Sequence, residues 1–445
     1  MAQYNINWMI HTIKNWPPMT VITRQECRQW DQDDPLAELR SRFSLPDGVI
    51  YLDGNSLGAM PSQALSQVYQ TVERDWGLGL IQSWNNAGWF DLPYSLGDRI
   101  APLIGAATGE VVVTDSTSIN LYKVLAAALK LRPDRKVILL ESSNFPTNNY
   151  IAQGLIAQLT TDYTIRYAEA DEIIDAINDD LAAVCLTQVH YKSGRLLNMH
   201  SITEKTRDAG AISIWDLCHS AGAMEVNLNT SGVDFAIGCT YKYLNGGPGS
   251  PAYLFMATRL HNQIQQPLTG WWGHADPFAF ERDYRPATGI SQMLSGTQPI
   301  VSLALVEKGL EIFNQVNTRA LREKSMRMGQ LLIDLVKQRC SAYGFDLISP
   351  EQAEQRGSQV SFAHKHGYAI MQALIAEGVI GDFRAPDTVR FGIAPLYIRY
   401  TDIWDAVDIL DKVMSSGSWQ RFDAPEPGPE KPQAPGSGRQ SIKVT

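Results

Sequence analysis

The sequence predicts an α/β protein, with a mostly parallel sheet flanked by helices and a smaller α+β domain after it. Three observations carry this. Strand-like and helix-like segments alternate through the middle of the chain, as βαβ units do. The pattern changes after Gly296 to long helices with a few short strands. The 445 residues, 44% of them hydrophobic, are ample for a large core in two domains.

In chain order, Val111 to Thr114 reads as a strand and Ile119 to Leu131 as a helix. Lys136 to Leu140 is a strand, Ala152 to Leu159 a helix and Thr164 to Tyr167 a strand. Ile173 to Ile177 is a short helix, Ala182 to Thr187 a strand and Thr203 to Ala209 a helix. Ala211 to Trp215 is a strand, and Val233 to Ile237 is a further apolar run. Beyond Gly296, Pro299 to Phe313 and Ala320 to Arg339 are helices, Ser358 to Ala363 and Thr388 to Ile393 strands, and Asp402 to Met414 a closing helix. The expected organisation is an extension of unassigned role (1–18), an arm packing on the small domain (19–55), a large domain (56–300), a small domain (301–420) and a Pro/Gly-rich disordered tail (421–445).

Composition narrows the function. Net charge is −9 and no long basic run occurs, which argues against nucleic acid. No apolar run approaches the roughly 18 residues of a membrane span, and residues 1–18 lack the apolar core of a signal peptide. The five cysteines are scattered, with no metal-ligand spacing. They predict no metal and reduced thiols in a cytoplasmic protein.

Lys242 carries the chemistry. It lies in Cys239-Thr240-Tyr241-Lys242-Tyr243-Leu244-Asn245-Gly246-Gly247, a loop of turn-forming residues after an apolar run. Asp216 closes the preceding apolar run. A carboxylate at one strand end and an amine in the loop after the next form the pair that pyridoxal phosphate (PLP) needs. The amine makes the Schiff base, and the carboxylate keeps the ring nitrogen protonated.

Other segments acquire meaning from that pair. Asp115-Ser116-Thr117-Ser118 joins a strand to a helix, where free N–H groups and hydroxyls make a phosphate cradle as readily as an N-cap. Phe145, just past a strand end, can stack on a ring or fill a core. Thr187 ends another strand. His219 follows Asp216 in the same turn, and Tyr241 can reach phosphate or act as an acid/base. Trp271, in Gly270-Trp271-Trp272-Gly273-His274, belongs to a pair that is expensive to expose. Thr297 precedes Pro299 and a helix. Arg390 interrupts an apolar strand and needs a partner, either a structural carboxylate or that of an amino-acid substrate.

Together these segments resemble kynureninase, a PLP enzyme of fold type I. The likeness rests on Tyr51-Leu52-Asp53-Gly54-Asn55-Ser56-Leu57-Gly58, Asn144-Phe145-Pro146-Thr147 and Trp215-Asp216-Leu217-Cys218-His219-Ser220-Ala221-Gly222. Tyr241-Lys242-Tyr243-Leu244-Asn245, the Gly270–His274 run, and Arg390 with Ala394-Pro395-Leu396-Tyr397 add to it. It implies a seven-stranded-type sheet and hydrolytic Cβ–Cγ cleavage of L-kynurenine or its 3-hydroxy form. Lys242 would hold PLP, Thr117, Ser118 and Tyr241 its phosphate, and Phe145, Thr187, Asp216 and His219 its ring. Trp271 and Thr297 would come from a second subunit, making a homodimer with shared sites. Arg390, Ser56 and Asn55 would meet the substrate. Asn148 departs from the resemblance, which implies an aspartate there. A cysteine desulfurase-like lyase is the alternative, with Cys340 as its one candidate nucleophile. A non-catalytic scaffold of the same fold is the other.

Overall fold

The computed structural model describes residues 21–160 and 162–423. The N-terminal extension, and the expected tail from 424 on, lie outside the described residues. The tail's first residues, 421 and 422, complete the helical turn Ser418–Phe422, whose Trp419 ring lies 4.5 Å from that of His366.

Seven strands form the central sheet: β1 (Val111–Val113), β2 (Val137–Glu141), β3 (Thr164–Ala168), β4 (Leu181–Thr187), β5 (Ile212–Asp216), β6 (Phe235–Gly238) and β7 (Tyr253–Met256). Their spatial order is β1-β7-β6-β5-β4-β2-β3. β7 is antiparallel to both neighbours, and the other pairs are parallel. Successive residues of a strand face opposite sides. In β2, Ile138 and Leu140 enter one apolar cluster and Leu139 the other. Both faces are therefore buried in the middle of the sheet, where the strands read as continuous apolar runs, whereas edge strand β3 is partly exposed. β7 is also a buried apolar run, and it was missed because its four residues directly follow a Gly/Pro loop.

Helix α1 (Arg24–Gln32) starts the described chain, with Thr23 and Glu26 closing a capping box. Helices α2 (Thr117–Leu131), α3 (Pro146–Gln158) and α4 (Met199–Asp208) connect sheet strands. The expected helix start at Ile119 shifts to Thr117. Ser116 caps it, and Asp115, at φ 47°, turns the chain into it.

The chain leaves β2 towards β3 on one side and β4 towards β5 on the other. Their carboxyl ends therefore border a crevice, the usual ligand position in such sheets.

The C-terminal layer contains α5 (Ile300–Phe313), α6 (Thr318–Arg339), α7 (Gly367–Ala376) and α8 (Tyr400–Ser416). Its antiparallel sheet joins β8 (Asp346–Leu347), β9 (Gln359–Ala363), β10 (Asp382–Arg384) and β11 (Thr388–Gly392) in the order β8-β9-β11-β10. One apolar cluster runs from the central sheet through α5 and α6 to β9, β11 and α8. Residues of the 19–55 arm also meet this layer. Arg24 pairs with Asp405 at 2.6 Å, and Asp31 accepts the N–H groups of Tyr400 (2.6 Å) and Thr401 (3.2 Å) at the start of α8. Ile50 and Tyr51 pair in parallel with Val379 and Ile380. Among the described residues, no helix is long and apolar enough to cross a membrane.

Candidate active site

Lys242 follows β6 in a tight loop. Asn245 N–H donates to Lys242 carbonyl at 3.0 Å, and Asn245 and Gly247 have φ of 58° and 91°. Lys242 Nζ lies 2.9 Å from Nε2 of His219, which is buried. Burial first, then the charges of Lys242 and Arg390, push the imidazole far below its ordinary pKa. His219 is therefore neutral and can accept from the amine. Its other nitrogen, Nδ1, is buried without a hydrogen-bond partner.

The motif at 51–58 lies directly against this loop. Gly58 N–H donates to the Tyr241 carbonyl at 2.8 Å, and a Cβ on Gly58 would stand 2.2 Å from the Lys242 carbonyl oxygen. Only glycine allows that approach.

Asp216 ends β5 and is buried. Its Oδ1 accepts the Cys218 N–H at 2.9 Å and its Oδ2 accepts Asn148 Nδ2 at 3.0 Å. Asn148 also lies 3.4 Å from both Thr187 Oγ1 and Asn144 Oδ1, and Thr187 donates to Asn144. The ends of β2, β4 and β5 thus meet in one polar cluster, with Asn144 Nδ2 buried and unpaired. Phe145, above it, is 41% exposed and is no core residue. Its ring meets Tyr191 edge-on at 5.2 Å.

At the end of β1, Thr117 and Ser118 form the first turn of α2, whose N–H groups have no helical acceptor. Asp115 would oppose an anion there. Buried Lys123 pairs with it at 2.7 Å, however, and also donates to the Met293 carbonyl at 2.6 Å. The helix start keeps its positive character.

Tyr241 is half-buried, and Lys242 Nζ lies 5.9 Å from its ring centre. The neighbouring Cys239 sulfur and burial hold the phenol well above its ordinary pKa, so it remains a proton donor.

Arg390 lies elsewhere in the fold, on β11, and is buried. Its partner is Asp382, directly opposite on β10. Nε donates to Asp382 Oδ1 at 2.8 Å and Nη2 to Oδ2. Nη2 also reaches Ser56 Oγ at 3.0 Å, and Nη1 donates to the Tyr191 carbonyl. Four of five guanidinium N–H groups are engaged, which leaves one. Asn55 is buried between this cluster and Asp53. Asp382 is the residue that sequence reading missed. The signal was the Ala385-Pro386-Asp387 turn, which sets residues 382 and 390 across from each other in a hairpin.

The Trp pair divides. Trp272 is buried and stacks on Phe90 at 5.1 Å, whereas Trp271 is partly exposed beside Phe278. Thr297 is exposed. Neither Trp271 nor Thr297 belongs to the polar cluster around Lys242. Cys340 is fully buried, and burial pushes its thiol up to about 12, unlike a nucleophile on a mobile loop.

This donor set fits a phosphorylated pyridine aldehyde: an amine, a carboxylate for a ring nitrogen, an exposed aromatic face and a free helix start. Unpaired buried nitrogens on His219 and Asn144 flank that space. The architecture is that of the PLP-enzyme fold seen in an apo cysteine desulfurase from Thermococcus onnurineus (TM-score 0.71, 18% identity, 85% of this chain and 98% of that one). C-DES, in a K223A form with glycine linked to its PLP cofactor, also shares it (TM-score 0.73, 17% identity, 84% and 99%). The chain belongs to the kynureninase family. It is 52% identical over 409 residues to kynureninase from Burkholderia pseudomallei strain 1106a, covering 91% of this chain and 98% of that one. It is also 52% identical to the Pseudomonas fluorescens enzyme over 402 residues, covering 89% and 97%. Residues 321–410 match the model of the kynureninase C-terminal domain.

Proposed function

We propose that this chain is a PLP-dependent hydrolase that adds water across the Cβ–Cγ bond of L-kynurenine and releases anthranilate and L-alanine. The observation that carries the reading is the Lys242–His219 contact beside buried Asp216, in a chain 52% identical to named kynureninases over nearly its whole length. When bound, the cofactor would supply an electron sink for charge developing on the substrate.

The chain's residues do the rest. Thr117, Ser118 and Tyr241 would hold the phosphate, Phe145 would cover the ring, and Asp216 would pair with the ring nitrogen. Asn148 and the Cys218 N–H each donate to Asp216, which fixes the position of its two oxygens. Thr187 buttresses Asn148. Lys242 Nζ takes the substrate α-proton, and neutral His219 accepts a hydrogen bond from that amine. Tyr241 Oη returns a proton at the departing carbon. The free N–H of Arg390 receives the substrate carboxylate, with Ser56 and Asn55 lying beside it.

A homodimer completes the site, with Trp271 and Thr297 facing a second copy. Segment 65–81 supports this, because it exposes Leu65, Trp76, Leu78, Leu80 and Ile81, each by more than 60%. Phe278, beside Trp271, and Phe280 are exposed as well, and apolar surface of this kind marks an interface. All five cysteines are unpaired, in keeping with a cytoplasmic enzyme.

The test mixes PLP-loaded protein with L-kynurenine and follows anthranilate fluorescence, with 3-hydroxykynurenine in parallel. Release that disappears in Lys242→Ala is the expected result. Sulfide from cysteine without anthranilate would replace this reading with the desulfurase one. Sedimentation at micromolar concentration checks the dimer.

A further inference from the structure

The cluster behind Arg390 contains an ionisable group that the proposed reaction does not use. Asp53 is 8% exposed, and its backbone bridges to Gly392, two residues from Arg390. The Asn55 amide links the two side chains. Its nitrogen donates to Asp53 Oδ1 at 3.1 Å, and its oxygen accepts from Arg390 Nε at 3.1 Å. A Cβ on Gly392 would stand 1.7 Å from the end of the Asn55 amide, so the backbone of β11 is shaped around this side chain.

Charge counting makes Asp53 decisive. Arg390 and Arg384 contribute two positive charges. Asp382 contributes one negative charge and binds both, with Arg384 Nη2 at 2.7 Å. The Nε of Arg384 is buried without a partner. The other groups facing Asp53 are the phenols of Tyr51, Tyr243 and Tyr397, all neutral because burial raises them far above their ordinary range. His219, near Arg390, is neutral as well. Burial and the Asp382 charge lift the Asp53 carboxyl to about 7.

We propose that Asp53 is a positioning residue that sets the charge of the substrate-carboxylate pocket. Neutral Asp53 leaves the pocket one unit positive and receptive to an anion. Ionised Asp53 cancels that charge and weakens the hold. The proposal rests on the reading of Arg390 as the carboxylate anchor.

The experiment measures KM and kcat for L-kynurenine on PLP-loaded enzyme from pH 6 to 9, in wild type and Asp53→Asn. Equilibrium binding of L-alanine, which has the carboxylate but no aryl ketone, is measured alongside. In wild type, KM and the L-alanine Kd rise together above pH 7 by about tenfold, roughly 1.4 kcal/mol of lost attraction. In Asp53→Asn, that rise is absent from both. A flat wild-type profile overturns the proposal without any variant having to fold, and so does a rise that persists in Asp53→Asn. Arg390→Lys separates the two levels. A large loss of L-alanine affinity upholds the anchor whatever Asp53 does, whereas unchanged affinity removes the anchor and the proposal together.

Discussion

Two polar clusters in this molecule are built by different means. The one around Asp216 is assembled from adjacent strand ends of a single sheet, where parallel pairing sets Thr187 beside Asp216. The one around Arg390 is assembled from opposite ends of the chain, with Ser56 bonded to Asp382 across 326 residues of sequence. The first is held by neutral donors around one carboxylate. The second is an ion-pair network in which removal of one member leaves another charge buried. The lesson is that the first cluster tolerates loss of a member with its scaffold intact, whereas the second is both site and scaffold.

Asp382→Ala tests the contrast most severely. It strands the Arg390 guanidinium, and loss of one partner of a buried pair costs about 3–5 kcal/mol. Urea unfolding should show that loss, and a stability equal to wild type would mean that the network carries substrate contacts alone. Tyr241→Phe, in the other cluster, should leave stability within about 1 kcal/mol. It should lower kcat by about 10²–10⁴ if the phenol moves a proton, and far less if it only holds phosphate.

Glu141 gives a pH handle on the same comparison. It ends β2 below Asn144, buried with Oε2 unpaired, and burial raises it to about 7. Its unfolded value is near 4.5. The native state therefore holds a proton that the unfolded chain releases. Its stabilising contribution is complete below pH 4.5 and is lost as pH rises through 7, by roughly 3 kcal/mol. Glu141→Gln should remove that dependence, so its Tm should fall less than that of wild type between pH 5 and 8.

The smallest effect is expected for Asn148→Asp, which sets a second carboxylate where an amide now lies 3.0 Å from Asp216. Like charges that close raise one pKa of the pair. The pH profile of the cofactor's absorbance should move by about a unit, and unchanged kinetics would show that position 148 does not tune the ring.

Much of this was legible in the sequence. The parallel strands announced themselves because both faces are buried, and the residues of the Asp216 cluster sit at their ends by a rule of the fold. The strand β7 and the helices before residue 100 were missed, and the 65–81 segment leaves apolar side chains on the surface instead of in a stripe. The partner of Arg390 was missed for another reason. Arg390 was recognised as needing a carboxylate, but a hairpin register had to be drawn to see that Asp382 supplies one. Phe145 and Trp271 could be assigned to surface or core only once the fold was known.

The long reach between Ser56 and Asp382 also bears on synthesis. A ribosome adding about 5–20 residues per second makes the 51–58 segment tens of seconds before the partner that completes its pocket. Gly58 can dock on the lysine loop earlier, once residue 242 has emerged. A chain truncated between those points lacks both Asp382 and Arg390, so the carboxylate pocket cannot form until the C-terminal layer has been made.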